Sequence, residues 1–242
     1  MNNTLMVYLN KRLHQNDSRY LDPNSQPGPV ICISREVGCG GVNIAKLLAT
    51  ELDKQCICKK WKVLSKEILE ESARGLNMDP NKLRNYLNEG ERSIFDDVLS
   101  AFSEKRFKSD RKISKTLIDL VLSFANDGYC IIVGRAGHII TKNIEKSLLV
   151  KLTAPLDWRI KQIMEKNNLN LREAVEFIEK TEKERENLRK HIAGDHNHAP
   201  VEEFDLTINL SRMKVENAIS LIYQASLAKG LLEANKSKVE VF

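Results

Sequence analysis

Three closely spaced glycines lie where a backbone could hold an anion. Gly38, Gly40 and Gly41 follow a short apolar run at residues 30–33, and a helical pattern of apolar residues begins at about Gly41. Glycine lets the backbone approach a ligand closely, and a helix N-terminus offers unpaired N–H groups and the positive end of the helix dipole. The stretch therefore predicts a phosphate-binding turn between a strand and a helix. A glycine-rich turn that binds no ligand fits the same three residues.

This turn departs from both common phosphate-binding patterns. In the pattern G-x-x-x-x-G-K followed by Ser or Thr, Arg35 replaces the first glycine, Gly41 the lysine and Val42 the hydroxyl residue. In the pattern G-x-G-x-x-G, Asn43 stands where the third glycine belongs. The turn therefore lacks the lysine of a phosphate-binding loop, and any positive charge that replaces it must come from other residues.

A second candidate is the pair Gly134-Arg135, which directly follows another apolar run at residues 129–133. Ligands of open α/β sheets bind outside the carboxyl ends of the strands, where this pair and the first glycine turn would both lie. An arginine at this place offers two parallel donors to a phosphate or a carboxylate. We therefore expect Arg135 to bind an anion, the alternative being a surface arginine in a turn.

Two further arginines continue the apolar side of a long charged helix, predicted at residues 171–192. The apolar stripe consists of Leu171, Ala174, Val175 and Ile178, at the spacing of one helix face. The next two turns of that face carry Glu182, Arg185 and Arg189. An anion between the two arginines would offset their repulsion; a helix that extends past the core, with glutamates balancing the arginines, has the same pattern. Arg159, at the edge of the apolar face of the preceding helix, is a candidate for the same anion.

Composition limits the class of protein. The chain has 242 residues, of which 42% are hydrophobic and 29% charged, and its net charge is +5 at pH 7. These values are typical of a globular protein with one substantial core. No apolar run reaches the ~20 residues that span a membrane, and the first residues lack a secretory pattern. We therefore expect a cytoplasmic protein that binds neither a membrane nor a nucleic acid.

The potential metal ligands do not predict a metal site. Among the five cysteines, Cys56 and Cys58 form a C-x-C pair without a second pair, so reduced thiols are expected in preference to a zinc site. His196 and His198 lie in a polar stretch that has no third ligand nearby, which favours a polar loop.

Strand and helix patterns alternate after a polar lead. Residues 1–29 form that lead, with a short helix expected at residues 5–13 and a linker rich in Pro, Gly and Asn, and residues 30–242 are expected to form a single domain. Strands are predicted at residues 30–33, 63–64, 129–133, 147–152 and 204–209, and helices after Gly41 and at residues 114–125, 155–166, 171–192 and 215–232. The alternation predicts an α/β fold with a mostly parallel sheet covered by helices on both faces.

The order of these parts resembles the cytidylate kinase-like family, relatives of the nucleoside monophosphate kinases. The resemblance is carried by the segments ISREVGCGGVNIAKLLA, KVLSKEIL, GYCIIVGRAGHII, LLVKLTAPLDWRI and FDLTINLSRMKVENAISLI, and it covers about residues 30–225. Members of this family resemble the chain in lacking the loop lysine.

This resemblance implies a three-layer P-loop kinase fold with a helical monophosphate-binding region at residues 60–110 and a lid region at residues 159–195. The implied reaction is transfer of the γ-phosphoryl group of ATP, with Mg²⁺, to a nucleoside monophosphate, and CMP or dCMP is the expected acceptor. Two alternatives remain open, namely a catalytically weak protein that binds or senses nucleotides, and a kinase of another small acceptor.

The resemblance also implies roles for individual residues. The phosphates of ATP would be held by Gly38, Cys39, Gly40, Gly41, Val42 and Asn43, with Arg35 supplying part of the charge of the missing lysine. Lys66 and Arg135 would bind the acceptor. Arg159, Arg185 and Arg189 would close over the transferring phosphoryl group and stabilise its charge.

Overall fold

The computed structural model describes residues 27–55, 59–65, 111–193 and 204–232. Within these ranges the chain forms five strands and six helices. The strands are β1 (Val30–Arg35), β2 (Lys62–Leu64), β3 (Cys130–Val133), β4 (Ser147–Thr153) and β5 (Leu206–Asn209). The helices are α1 (Gly41–Gln55), α2 (Arg111–Asp127), α3 (Gly137–Ile140), α4 (Leu156–Asn167), α5 (Leu171–Ala193) and α6 (Val215–Ala228).

The five strands form one parallel sheet in the order β2-β3-β1-β4-β5. The central strand, β1, begins with Val30, which lies opposite Cys130 on β3 and Ser147 on β4. Because all strands run in one direction, their carboxyl ends lie at the same edge of the sheet, and the segments after β1, β3 and β4 emerge side by side. The prediction of a parallel α/β sheet is confirmed.

Helices cover both faces of the sheet because its central strands are apolar on both sides. On one face, strand residues such as Ile31 and Val150 pack against α1 and α6 in the largest buried cluster. On the other face, Leu117 and Leu120 of α2 are completely buried, and α2 contacts β3 and α3. The result is a three-layer arrangement, as expected from the alternation of strands and helices.

Several element boundaries differ from those predicted, and two of these differences have a clear structural origin. The first strand continues to Arg35, two residues past the predicted end, so that Arg35 is part of the sheet. The last helix ends at Ala228 and not at Leu232, because Gly230 has a left-handed backbone with a φ of 69°. The N–H group of Leu231 then donates to the carbonyl of Ser226 at 2.9 Å, which closes the helix end. The apolar pattern extended past the helix because Leu231 and Leu232 are buried as well.

Several expectations concern residues outside the described ranges. They are the short helix at residues 5–13, the pairs Cys56 and Cys58 and His196 and His198, and most of the region at residues 60–110. In the described part of the chain, no helix combines the length and apolar character needed to cross a membrane. The three cysteines described, Cys32, Cys39 and Cys130, are free and buried.

Helix α2 ends in a close contact between two glycines. Gly128 has a φ of 70°, and its N–H group donates to the carbonyls of Phe124 and Ala125, both at 3.1 Å. A methyl group placed on Gly128 would lie 2.5 Å from the Cα of Gly28. The turn from α2 into β3 therefore needs glycine for its backbone conformation and for its packing.

We expect Gly128→Ala to destabilise the protein more than Gly230→Ala. Both glycines have nearly the same φ, 70° and 69°, so each substitution costs about 1–2 kcal/mol for a left-handed alanine. Only at Gly128 does the new methyl group overlap other atoms, since nothing lies within 4 Å of it at Gly230. The overlap should add about 1–3 kcal/mol, measured by urea unfolding. Equal losses for the two variants would contradict this packing.

Candidate active site

The turn after β1 is held against the core by Gly38 and Cys39. A methyl group on Gly38 would lie 2.9 Å from the Cβ of Arg159, so the backbone packs directly against the first turn of α4. The side chain of Cys39 is 2% exposed. Burial, with a smaller contribution from the carboxylate of Glu36, raises the pKa of the Cys39 thiol to about 12. The thiol is therefore a neutral core group, and only the backbone of Cys39 is available for a phosphate.

The start of α1 has the geometry of an anion site. The N–H groups of Asn43 and Ile44 donate to the carbonyl of Gly40, at 2.9 and 3.2 Å. In the described part of the chain, the N–H groups of Gly40, Gly41 and Val42 make no hydrogen bond, as expected for the first turn of a helix. Asn43 is exposed beside them. These donors, together with the helix dipole, fit a phosphate group.

Arg35 connects this turn with the loop after β3. Its aliphatic stem crosses Gly41, where the Cγ would lie 3.0 Å from an added Cβ. Its guanidinium lies over Gly134, and Nη1 occupies the space that a side chain at Gly134 would need. The charge of Arg35 is thus directed to the loop that carries Arg135.

The loop after β3 makes an unusual left-handed turn. Gly134, Arg135 and Ala136 have φ values of 73°, 55° and 53°. The N–H of Gly134 donates to the carbonyl of Ile33 at 2.9 Å, and that of Gly137 donates to the carbonyl of Gly134 at 2.9 Å. A left-handed conformation costs a non-glycine residue about 1–2 kcal/mol. Such strain is concentrated at functional sites, and here it falls on the arginine that the sequence predicted to bind an anion.

Helix α5 completes a cleft that is rich in arginine. Nη1 of Arg185 donates to the carbonyl oxygen of Arg35 at 3.1 Å. Arg35, Arg135, Arg185 and Arg189 together line a small cleft of about 20 Å³, which we call the arginine cleft. Its remaining lining residues are Ser34, Gly134, Ala136, His138 and Leu188. Four arginines border this small space, and an oxyanion in it would accept charge-assisted hydrogen bonds from their guanidinium groups.

The apolar stripe of α5 explains how the arginines reach the cleft. Ala174 and Ile178 are buried, packed with Val37 and with Ile160 and Ile163 of α4. Leu171, by contrast, is 60% exposed and does not belong to the buried face, since it is the first residue of the helix and lies beyond that cluster. The face that starts with Ala174 continues through Glu182 to Arg185 and Arg189, as predicted.

Arg159 lies in a different environment, which we call the anchoring network, formed by Glu36, Arg159 and Glu182. The Arg159 side chain is 13% exposed; its Nε lies 3.5 Å from Glu36 Oε2 and its Nη1 lies 3.6 Å from Glu182 Oε1. Arg159 Nε also donates to the carbonyl of Ala154 at 3.0 Å. The role expected of Arg159 in closing over a phosphoryl group stays a prediction, and its contacts here are those of a residue that positions the turn.

The two glutamates of the anchoring network bind backbone as well. Glu182 Oε1 accepts a hydrogen bond from the N–H of Val37 at 2.6 Å. Glu36 Oε2 accepts from the hydroxyl of Thr153 at 2.7 Å and from the N–H of Ala154 at 3.0 Å. The turn after β1 is thereby fixed to the end of β4 and to the middle of α5.

His138, on α3, lines the arginine cleft and is 4% exposed. Its ring packs against Phe204, with 5.0 Å between the ring centroids. Burial, together with the nearby charges of Arg189 and Lys151, lowers the pKa of His138 from its ordinary 6.5 to about 4. The imidazole is therefore neutral at physiological pH.

Sequence analysis did not assign three residues to the site, and one residue that it did assign lies outside the described part of the chain. The sequence feature that could have identified Glu36 is its position directly after Arg35 in the turn. Glu182 was assigned to charge balance, and His138 is hidden in an apolar segment, GHII, that forms a short unpredicted helix. Lys66, expected to bind the acceptor, lies outside the described residues.

Comparison with known proteins finds one relative in sequence and two similar structures that are described here. A cytidylate kinase from Sulfolobus acidocaldarius is 26% identical over 205 residues, which are 84% of this chain and 97% of that protein. The crystal structure of an uncharacterized protein from Eubacterium ventriosum has a TM-score of 0.58 and 20% identity, and covers 83% of this chain and 98% of that one. A shikimate kinase from Acinetobacter baumannii, in complex with shikimate, has a TM-score of 0.43 and 16% identity, with 87% and 96% of the two chains covered.

The parallel sheet flanked by helices, with a glycine turn after its central strand, is the α/β fold of the P-loop kinases. The model of the cytidylate kinase-like family matches residues 30–212. The chain therefore belongs to the cytidylate kinase-like family.

Removal of Glu182 should weaken the anchoring network. We expect Glu182→Ala to reduce the free energy of unfolding by about 1–3 kcal/mol, because it removes the acceptor of the Val37 N–H group and one of the two carboxylates beside Arg159. Glu176→Ala is the control on the same helix, since the Glu176 side chain is 62% exposed and, among the described residues, its ion-pair partner is Arg172, 89% exposed, at 2.9 Å. That control should cost at most about 0.5 kcal/mol. Similar losses in urea unfolding would exclude a structural role for the network.

The neutral state of His138 predicts how stability depends on pH. The unfolded ring binds its proton near pH 6.5 and the folded ring only near about 4, so the unfolded state binds more protons in this window. Stability should therefore fall as the pH decreases through it. In His138→Gln the loss on acidification to pH 4 should be smaller by about 3 kcal/mol.

Urea unfolding at a series of pH values measures this difference. His191→Gln, at an exposed position near the end of α5, is the control and should keep the profile of the unsubstituted protein. If His138→Gln keeps that profile too, the imidazole of His138 is not neutral in the folded state.

Proposed function

We propose that the protein transfers the γ-phosphoryl group of ATP to a nucleoside monophosphate, with CMP or dCMP as the acceptor. The observation that carries the proposal is the convergence of Arg35, Arg135, Arg185 and Arg189 on one cleft beside the glycine turn. Membership of the cytidylate kinase-like family supports the same class of reaction. The acceptor rests on that family and on the 26% identity to the Sulfolobus cytidylate kinase.

The start of α1 suits the donor nucleotide. The free N–H groups of Gly40, Gly41 and Val42 would bind the phosphates of ATP, as backbone amides do at helix N-termini. Mg²⁺ would neutralise charge on these phosphates. The described part of the chain has no cluster of three metal-ligating side chains. The ion would be held by phosphate oxygens and water, and the exposed amide of Asn43 would offer a protein oxygen.

The arginine cleft suits the transferring group and the acceptor phosphate. Phosphoryl transfer requires positioning and neutralisation of charge more than covalent chemistry. Arg135, held by its left-handed turn, would bind the acceptor phosphate, and Arg185 and Arg189 would stabilise the charge that spreads over the transferring oxygens. Arg35 would supply, from the end of β1, the positive charge that lysine supplies in other loops. Arg159 would act indirectly, by positioning the turn through Glu36 and Glu182.

A protein that binds nucleotides without efficient turnover is the second candidate. It is favoured by Val42, an apolar residue where the Mg²⁺-binding hydroxyl is expected. In that case the same arginines would hold nucleotide phosphates but would not accelerate the reaction.

Release of ADP separates these candidates. The full chain is incubated with ATP, Mg²⁺ and CMP, dCMP, UMP, AMP or buffer alone, and ADP is measured with a coupled assay. We expect release that depends on the acceptor and is fastest with CMP or dCMP. Thermal stabilisation by ATP without ADP from any acceptor would reject the kinase and support the sensor, and activity with AMP alone would reject the cytidylate assignment.

Arg185→Ala tests the role of the cleft. If Arg185 acts on the transition state, kcat should fall by about 100-fold or more while the affinity for ATP changes little. Arg172→Ala, on the same helix and exposed, should leave both unchanged. A proportional loss of ATP affinity and kcat in Arg185→Ala would show that this arginine only binds the donor.

A further inference from the structure

A larger cavity lies beside the arginine cleft, between α5 and the sheet. Its volume is about 310 Å³, near the lower limit for small-molecule sites. Lys151 of β4, His138 of α3 and Phe204 lie on one side, and Arg189 and Lys190 of α5 on the other. Arg135 and Arg185 do not line it, and Lys151 does not line the arginine cleft. The two spaces share Ser34, Arg35, His138 and Arg189, and they differ in that Lys151 lines the cavity alone while Arg135 and Arg185 line the cleft alone.

The carboxylates in the wall of this cavity are already paired. Glu36 and Glu182 belong to the anchoring network, with Arg159 3.5 and 3.6 Å from them. Glu186 pairs with Lys190 at 2.6 Å. Each of the three therefore has a cation beside it, but Glu36 and Glu182 share Arg159, so that pair keeps one net negative charge, against the two positive charges of Lys151 and Arg189.

Lys151 and Arg189 are the two cations of the cavity that bear on its binding of a ligand. In the part of the chain that the structure describes, neither has a carboxylate within the 4.0 Å of an ion pair. Lys151 Nζ lies 5.8 Å from the centroid of the Phe204 ring, a cation–π distance. Two positive charges in a half-enclosed space favour the binding of an anion.

His138 points to a ligand independently of these charges. It is 4% exposed and packs on Phe204, yet among the described residues neither ring nitrogen has a hydrogen-bond partner. The ring nitrogens are not among the fully buried unpartnered atoms of the described residues, so they are open to a donor or acceptor in the adjoining space. Since the ring lines the cavity, a ligand in the cavity would supply the missing hydrogen bond.

We propose that this cavity binds a small molecule through an oxyanion group, phosphate or carboxylate, which contacts Lys151 and Arg189, with His138 as a hydrogen-bonding partner. The volume exceeds that of a bare phosphate, so the group belongs to a larger molecule. The site goes beyond the proposed kinase reaction, because its own cation, Lys151, lies outside the arginine cleft. Because Arg189 lines both spaces, a molecule bound in the cavity would contact a residue of the arginine cleft.

Binding can be followed through the His138 ring. The full chain is titrated with inorganic phosphate in one arm and malonate in the other, at constant ionic strength in chloride, and the histidine side chains are observed by NMR. His138→Gln assigns the resonance. An anion near Lys151 and Arg189 offsets the two charges that, with burial, hold the pKa of His138 at about 4, so we expect a saturable increase of that pKa. Saturation by only one probe identifies the group as phosphate or carboxylate.

Substitution of Lys151 decides whether the cavity is the site. Lys151→Met, which keeps the aliphatic stem, should weaken binding by about tenfold or more, and Lys151→Arg should retain it because the charge is kept. Lys161→Met, at an exposed position on α4, is the matched control. If Lys151→Met does not fold, Lys151→Gln replaces it.

The test is independent of the kinase reaction. Arg135 lines the arginine cleft but not the cavity, so Arg135→Ala should leave the response of His138 intact. A response lost in Arg135→Ala and retained in Lys151→Met would assign the anion to the cleft and overturn the proposal. Absence of a saturable response to both probes would overturn it as well, whatever the ADP assay shows.

Discussion

The candidate active site depends on the path of one side chain, that of Arg35. As the last residue of the central strand, Arg35 has a fixed backbone, and its stem and guanidinium pass over Gly41 and Gly134. A side chain at either glycine would occupy the same space. The carbonyl of Arg35 also accepts the hydrogen bond from Arg185. One residue therefore joins the donor turn, the loop after β3 and the long helix, and the relative positions of these three parts follow from it.

The site concentrates positive charge on rigid groups. A loop lysine is a flexible point charge, whereas arginine presents a planar fork whose direction is set by its surroundings. Here the surroundings are a left-handed turn for Arg135 and hydrogen bonding to the strand for Arg185. The anchoring network, which pairs its charges, holds the turn in place beside them.

Local sequence patterns predicted the elements but not the contacts between them. Apolar runs and helical periodicity located β1, α1 and α5, and the carboxyl ends of parallel strands placed Gly38 and Arg135 at one edge. The path of Arg35 over Gly134 joins residues almost a hundred positions apart, and no local pattern contains it. The bonds of Glu36 to Thr153 and of Glu182 to Val37 are of the same kind. His138 was missed because its chemistry comes from burial and from Lys151 and Arg189, which other elements supply.

The order of the strands determines which strand edges are open to pairing with another molecule. Its outer strands, β2 and β5, contain only three and four residues. An outer strand exposes backbone groups with which a strand of another molecule can pair, and a short one offers few of them. Asp205, just before β5, also binds the N–H of Leu149 at 2.8 Å and Lys229 at 2.5 Å, placing charge at that border. The sheet that supports the site is therefore a poor template for aggregation.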